Sequence, residues 1–111
     1  MAYDRLTPNW TNVQAMASIG EDGYAVERGT LYRFDKAGNY TELSSGWNAS
    51  AMVACKGNLY IFDGRGTLYR VDPATGGYEE MPDSWPDVSA ATVVGERIYV
   101  ICQTDLYAVD P

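Results

Sequence analysis

Short apolar runs rich in Val, Ile, Tyr and Ala alternate along the whole chain with clusters of Gly, Asp, Asn and Pro, and no window places apolar residues at helical spacing. The pattern predicts strands and turns throughout. One stretch sets the frame: Gly66-Thr67-Leu68-Tyr69-Arg70-Val71-Asp72 occurs also as Gly29-Thr30-Leu31-Tyr32-Arg33-Phe34-Asp35, and in altered form as Thr104-Asp105-Leu106-Tyr107-Ala108-Val109-Asp110. Trp10, Trp47 and Trp85 each precede the closing Asp of their copy by 25 residues. The chain is therefore three repeats, covering 10–46, 47–84 and 85–111.

The third repeat stops early, and the part it lacks stands at the other end. Tyr3 to Trp10 matches Tyr40 to Trp47 and Tyr78 to Trp85, with seven residues from Tyr to Trp each time. In the second repeat the pattern predicts strand A at Ala51 to Cys55, a turn at Lys56-Gly57-Asn58 and strand B at Leu59 to Phe62. Asp63 to Gly66 then turns into strand C, Thr67 to Val71, and Asp72 to Gly77 turns into strand D, Tyr78 to Met81. Gly20, Gly57 and Gly95 recur ten residues after each Trp, where a tight A–B turn calls for positive φ. The prolines flank strands C and D, so none removes a ladder hydrogen bond from a central strand.

A repeat of this length, made of four short strands, predicts an all-β fold: a β-propeller of four-stranded antiparallel blades, three to a chain. The small residues Ala15, Ala17, Ala51, Ala54, Ala90 and Ala91 fit an innermost strand A lining a narrow channel. Propellers usually hold 4–8 blades, so three predict a homodimer that closes a six-bladed ring. In that ring residues 1–9 are exchanged as the outer strand that completes the third blade of the partner.

The order of apolar strand, Gly turn, Leu59-Tyr60-Ile61-Phe62, Leu68-Tyr69-Arg70-Val71-Asp72-Pro73 and then Gly77-Tyr78-Glu79-Glu80-Met81-Pro82 resembles a kelch repeat over essentially the whole chain. Kelch repeats typically run to about 50 residues. Their Gly-Gly doublet after strand B appears here as Glu27-Arg28, Asp63-Gly64 and Cys102-Gln103, and Tyr opens strand D in place of Trp. The resemblance implies a non-enzymatic scaffold that binds a protein or peptide partner on its loop face.

Charge narrows the partner. Fifteen acidic against eight basic residues give a net charge of −7, with the basic residues scattered singly, which argues against nucleic acid and anionic membrane and for a basic protein or peptide. No apolar run approaches the length of a membrane span, and Met1 to Arg5 does not begin a secretory leader, so a cytoplasmic protein is expected. Cys55 and Cys102 fall at different repeat positions and are expected as buried reduced thiols.

The candidate ligand-binding residues are Trp10, Trp47 and Trp85, with Glu27, Arg28, Asp63, Arg65 and Gln103 in the B–C turns. In a propeller both sets emerge at one face, where an indole beside a guanidinium and a carboxylate makes a polar-ligand pocket. The alternative is that the tryptophans wedge neighbouring sheets apart and that the turn charges are solvated. Nine Tyr and three Trp at repeat-locked positions also motivate a carbohydrate-binding lectin. A hydrolase would draw its carboxylates from Glu21, Asp22, Asp63, Glu79 and Glu80. With no His and no Asp-rich loop, no metal and no cofactor is expected.

Overall fold

The computed structural model describes residues 2–111 and contains eleven strands and, among those residues, no helix. Strands β1 (Val13–Ile19), β2 (Asp22–Glu27), β3 (Thr30–Phe34) and β4 (Tyr40–Ser44) form one antiparallel sheet in chain order. A second four-stranded sheet follows, from β5 (Ala49–Cys55), β6 (Asn58–Asp63), β7 (Leu68–Val71) and β8 (Tyr78–Glu80). The third has three strands, β9 (Val88–Val94), β10 (Arg97–Cys102) and β11 (Asp105–Val109), and β11 is its outer edge.

The strands of the second sheet lie within one residue of where alternation and turn residues put them, with one larger difference. The first strand of the second sheet starts at Ala49, earlier than the apolar run, because a register irregularity lets the chain enter the ladder sooner: the pairing passes from Ala49↔Asp63 to Ala51↔Phe62. The same irregularity recurs between Val13 and Ala15, and opposite Ile101 and Cys102. The second sheet also has one residue fewer between its Trp and β5, Asn48 alone against two in each of the other repeats, and one more from Asp63 to Leu68 than from Glu27 to Leu31 or from Cys102 to Leu106. Its hairpin is thereby shifted, so Lys56 takes the first turn position at φ 52°, where Gly20 (58°) and Gly95 (64°) sit in the other sheets.

The sheets stack through their first strands, β1 beside β5 and β5 beside β9. Tyr24, Val26 and Leu31 of the first sheet close on Met52, Leu59, Ile61 and Val71 of the second. On its other face the second sheet offers Ala51, Val53, Tyr60, Phe62 and Leu68 to Ile98 and Val100 of the third. The linkers fasten the stack, since Trp47 N donates to Gly29 O (3.0 Å) and Trp85 N to Gly66 O (2.8 Å), each tying a linker to the turn of the sheet before it.

Residues 2–12 join no ladder. Met1, the first residue of the segment expected to be exchanged, lies outside the described residues. Leu6 nonetheless has a defined seat. A Cβ on Gly38, in the turn between β3 and β4, would come within 2.7 Å of Leu6, as a Cβ on Gly76 would come within 2.8 Å of Leu43. Leu6 thus stands against the first sheet as Leu43 of β4 stands against the second.

Candidate functional site

Each tryptophan is packed by the tyrosines of its own repeat. Alternation on β3 and β7 turns Tyr32 and Tyr69 to the face over which the linker passes, and the opening Tyr of the outer strand lies beside each. Trp47, Tyr69 and Tyr78 meet edge to face with centroids 5.2–5.5 Å apart, and Trp10, Tyr32 and Tyr40 do the same at 5.5–5.6 Å. The indole N–H is satisfied by a hydroxyl three residues earlier: Trp10 Nε1 donates to Thr7 Oγ1 (2.9 Å) and Trp47 Nε1 to Ser44 Oγ (3.0 Å). Trp47 is buried, so its ring forms the floor of the region rather than an exposed platform.

The third cluster is incomplete. Trp85 packs on Tyr107 at 5.5 Å, but the counterpart of Tyr40 and Tyr78 is Tyr3, at the far end of the chain and 91% exposed. Pro82 occupies the hydroxyl position, and Trp85 Nε1 is buried without a hydrogen-bond partner among the described residues.

The turns with candidate charges lie beside these clusters because each turn after the second strand bonds back to the linker: Arg28 N to Asn12 O, Gly64 N to Asn48 O and Gln103 N to Asp87 O. In the first sheet Arg28 pairs with Glu27 at 3.5 Å and donates to Thr11 Oγ1. In the third, Cys102 is buried with its thiol against Pro86 O, and Gln103 is exposed. The second sheet is built most tightly. Asp63 is buried, and its carboxylate accepts from Arg65 N, Arg65 Nε (2.7 Å), Arg65 Nη2 (2.9 Å) and Asn48 N. The Arg65 hydrogen bonds, followed by the backbone donors, hold the Asp63 carboxyl below its ordinary range against the opposing effect of burial, and the pairing raises Arg65.

Trp47, Asp63 and Arg65 therefore share one cavity of about 350 Å³, completed by Ser45, Gly46, Thr67, Tyr69 and Tyr78. The remaining sequence candidates are not gathered there. Glu79 and Glu80 are exposed on β8, with Glu79 paired to Arg70. Glu21, in the turn between β1 and β2, pairs with Lys36 at 2.6 Å, at the opposite end of the sheet from the candidate turn after β2. No cluster of His, Cys, Asp and Glu suited to a metal occurs among the described residues, and Cys55 and Cys102 are both free and buried. Ser45, Thr67, Tyr69 and Tyr78 were not candidates from sequence. Their signal is that they surround the one B–C turn that carries an extra residue.

No family model and no curated protein matches the chain. Solved structures do. The chain is similar to the Myxococcus xanthus glutaminyl cyclase, with a TM-score of 0.66 and 19% identity over 89% of this chain and 48% of that one. It is similar also to an extracellular domain assigned to a hybrid two-component system in B. thetaiotaomicron, with a TM-score of 0.70 and 17% identity over 98% of this chain and 17% of that one. The computationally designed Ika4 protein matches with a TM-score of 0.55 and 12% identity over 98% and 99% of the two chains. The chain spans about half of the first and about a sixth of the second. At such identities the likeness is one of fold: an all-β chain of small antiparallel sheets.

Proposed function

We propose that each sheet is a blade of a β-propeller, that two copies of the chain close a six-bladed ring, and that the ring is a non-enzymatic scaffold binding a partner at the edge bearing Trp47, Asp63 and Arg65. The observation that carries closure is unequal burial at equivalent positions. Leu31 and Leu68 are 0% and 1% exposed, whereas Leu106, at the same place in the third sheet, is 66% exposed. Met16 on the outer face of the first sheet is 58% exposed where Met52 is 6%. A second copy supplies what both ends lack. Its third sheet covers Met16, Phe34 and Val13, and its residues 3–7 pair along β11 and bring a tyrosine to Trp85 and Tyr107. Exposed apolar faces of this kind are otherwise association surfaces without a partner.

Light scattering on the 111-residue chain tests closure. The expected mass is twice 12.2 kDa, and Leu6→Asp is expected to lower it. A folded 12.2 kDa monomer at micromolar concentration would sink the ring. The binding edge suits a basic protein or peptide by overall charge, and the hydroxyl-lined cavity beside Trp47 supports a second reading, a lectin. A glycan array separates the two, since the scaffold reading expects no saccharide to bind. The hydrolase reading has less support, because its carboxylates are dispersed.

A further inference from the structure

We propose that the cavity of the second sheet is a binding site for a carboxylate-bearing sugar of the uronic acid type. This deepens the lectin reading of the loop edge and does not depend on ring closure, because every lining residue comes from one sheet and the linker that enters it.

Three observations meet here. The first is a break in the repeat: the extra residue in Asp63-Gly64-Arg65-Gly66 lets the arginine fold back on the carboxylate through two side-chain bonds, where the first sheet has a single contact of 3.5 Å and the third has Gln103. Features common to all three repeats are explained by stacking; this one is not. The second is polarity. The Asp63 carboxylate is 1% exposed and receives four hydrogen bonds, while the Arg65 side chain is 66% exposed. The pair is neutral as a whole but presents its cationic half outward. Its bonds run through Nε and Nη2, with Nη2 reaching Gly46 O as well, which leaves the Nη1 edge for a ligand. With both hydrogens of Nη2 engaged, Nη1 is the donor that remains, and a charged N–H held in place in this way is a ready partner for one oxygen of a carboxylate.

The third is the rest of the lining. Ser45, Thr67, Tyr69 and Tyr78 bring four hydroxyls, each able to donate and accept, and the two phenol rings offer apolar edges. No acidic side chain other than the buried Asp63 lines the cavity. One cation flanked by neutral hydroxyls and aromatic edges matches a ring bearing one carboxylate and several hydroxyls. At about 350 Å³ the cavity is at the small end of ligand sites, which suits a single sugar unit. The net charge of −7 opposes an anion at long range, but at physiological ionic strength it is screened beyond about 8 Å, whereas Arg65 acts at contact.

Titration calorimetry of the 111-residue chain with glucuronate, glucose and acetate tests the site. Glucuronate should bind at one per chain, with glucose and acetate each at least about tenfold weaker, the discrimination expected of one charge-assisted contact plus several hydroxyl contacts. Arg65→Gln should abolish glucuronate binding. Tyr78→Phe, which keeps the ring packed on Trp47, should weaken it severalfold without moving the melting temperature, so the question stays decidable if Arg65→Gln folds poorly. Equal binding of glucose and glucuronate, equal binding of acetate and glucuronate, no glucuronate binding, or binding indifferent to both variants would each overturn the proposal. Loss of glucuronate binding with the mass still twice 12.2 kDa would overturn this site and leave the ring standing.

Discussion

The second sheet and the two outer sheets are made of nearly the same residues but sit in different surroundings. The second is covered on both faces and buries Leu59, Tyr60, Ile61, Phe62, Leu68 and Val71 almost completely. The outer sheets carry matching side chains, yet each has one face closed and one open, with Met16 and Val13 uncovered at one end and Val94 and Leu106 at the other. Composition is thus not what separates a core position from a surface one in this chain. What separates them is whether a neighbouring sheet is present, and a repeat sequence writes the same residue in both cases.

Substitution at equivalent leucines breaks the comparison most sharply. Leu68→Ala, in a closed interface, should cost about 2–5 kcal/mol by chemical denaturation. If a second copy covers the third sheet, Leu106→Ala should cost a comparable amount; if that face is open to water, it should cost less than about 0.5 kcal/mol. A smaller effect is expected at the indole nitrogens. Ser44→Ala strips the acceptor from Trp47 and should cost about 1–3 kcal/mol, because it leaves a buried donor unpaired. Trp85 has no such acceptor among the described residues, so Pro82→Ala should not reproduce that loss.

The smallest effect belongs to Asp63 and is read from pH. Its carboxyl is held below the ordinary value of 3.8, so the folded state binds fewer protons there than the unfolded chain. The stability this supplies is present in full above that value and is lost as pH falls through the depressed folded one. The melting temperatures of the intact chain and of Asp63→Asn should therefore differ at neutral pH and converge in acid. The effect should be modest, because the Arg65 partner is largely solvated.

Much of the fold was legible. The periodicity of Tyr, Trp and Gly set out three sheets, the strand order and the unfilled edge of the third, because each mark records a contact that every repeat must make. What escaped was the one-residue shift in the second hairpin. Counting ten residues from each Trp aligns Gly57 with Gly20 and Gly95, yet the ladders close Cys55 on Asn58 as they close Ile19 on Asp22, so Lys56 stands at the position of Gly20, whereas the match of Asp63 with Glu27 after the second strand was already legible. A slip of one residue exchanges the faces of a strand, and a compensated deletion and insertion leave the flanking marks in step while the hairpin between them moves. For the same reason the candidate site was half visible. Trp47, Asp63 and Arg65 stand out as types, but that Trp47 is a floor and the tyrosines form walls depends on ring packing that no spacing reveals.

The backbone bonds from Trp47 to Gly29 and from Trp85 to Gly66 bear on how the molecule comes apart. They join each unit only to the one before it, so an open stack is a chain of nearest neighbours and loses its units from the ends inward. A closed ring has no terminal unit to fray. Loss of structure must then start by breaking a junction between units, after which two raw ends appear at once, so closure turns a graded melting into a single cooperative event.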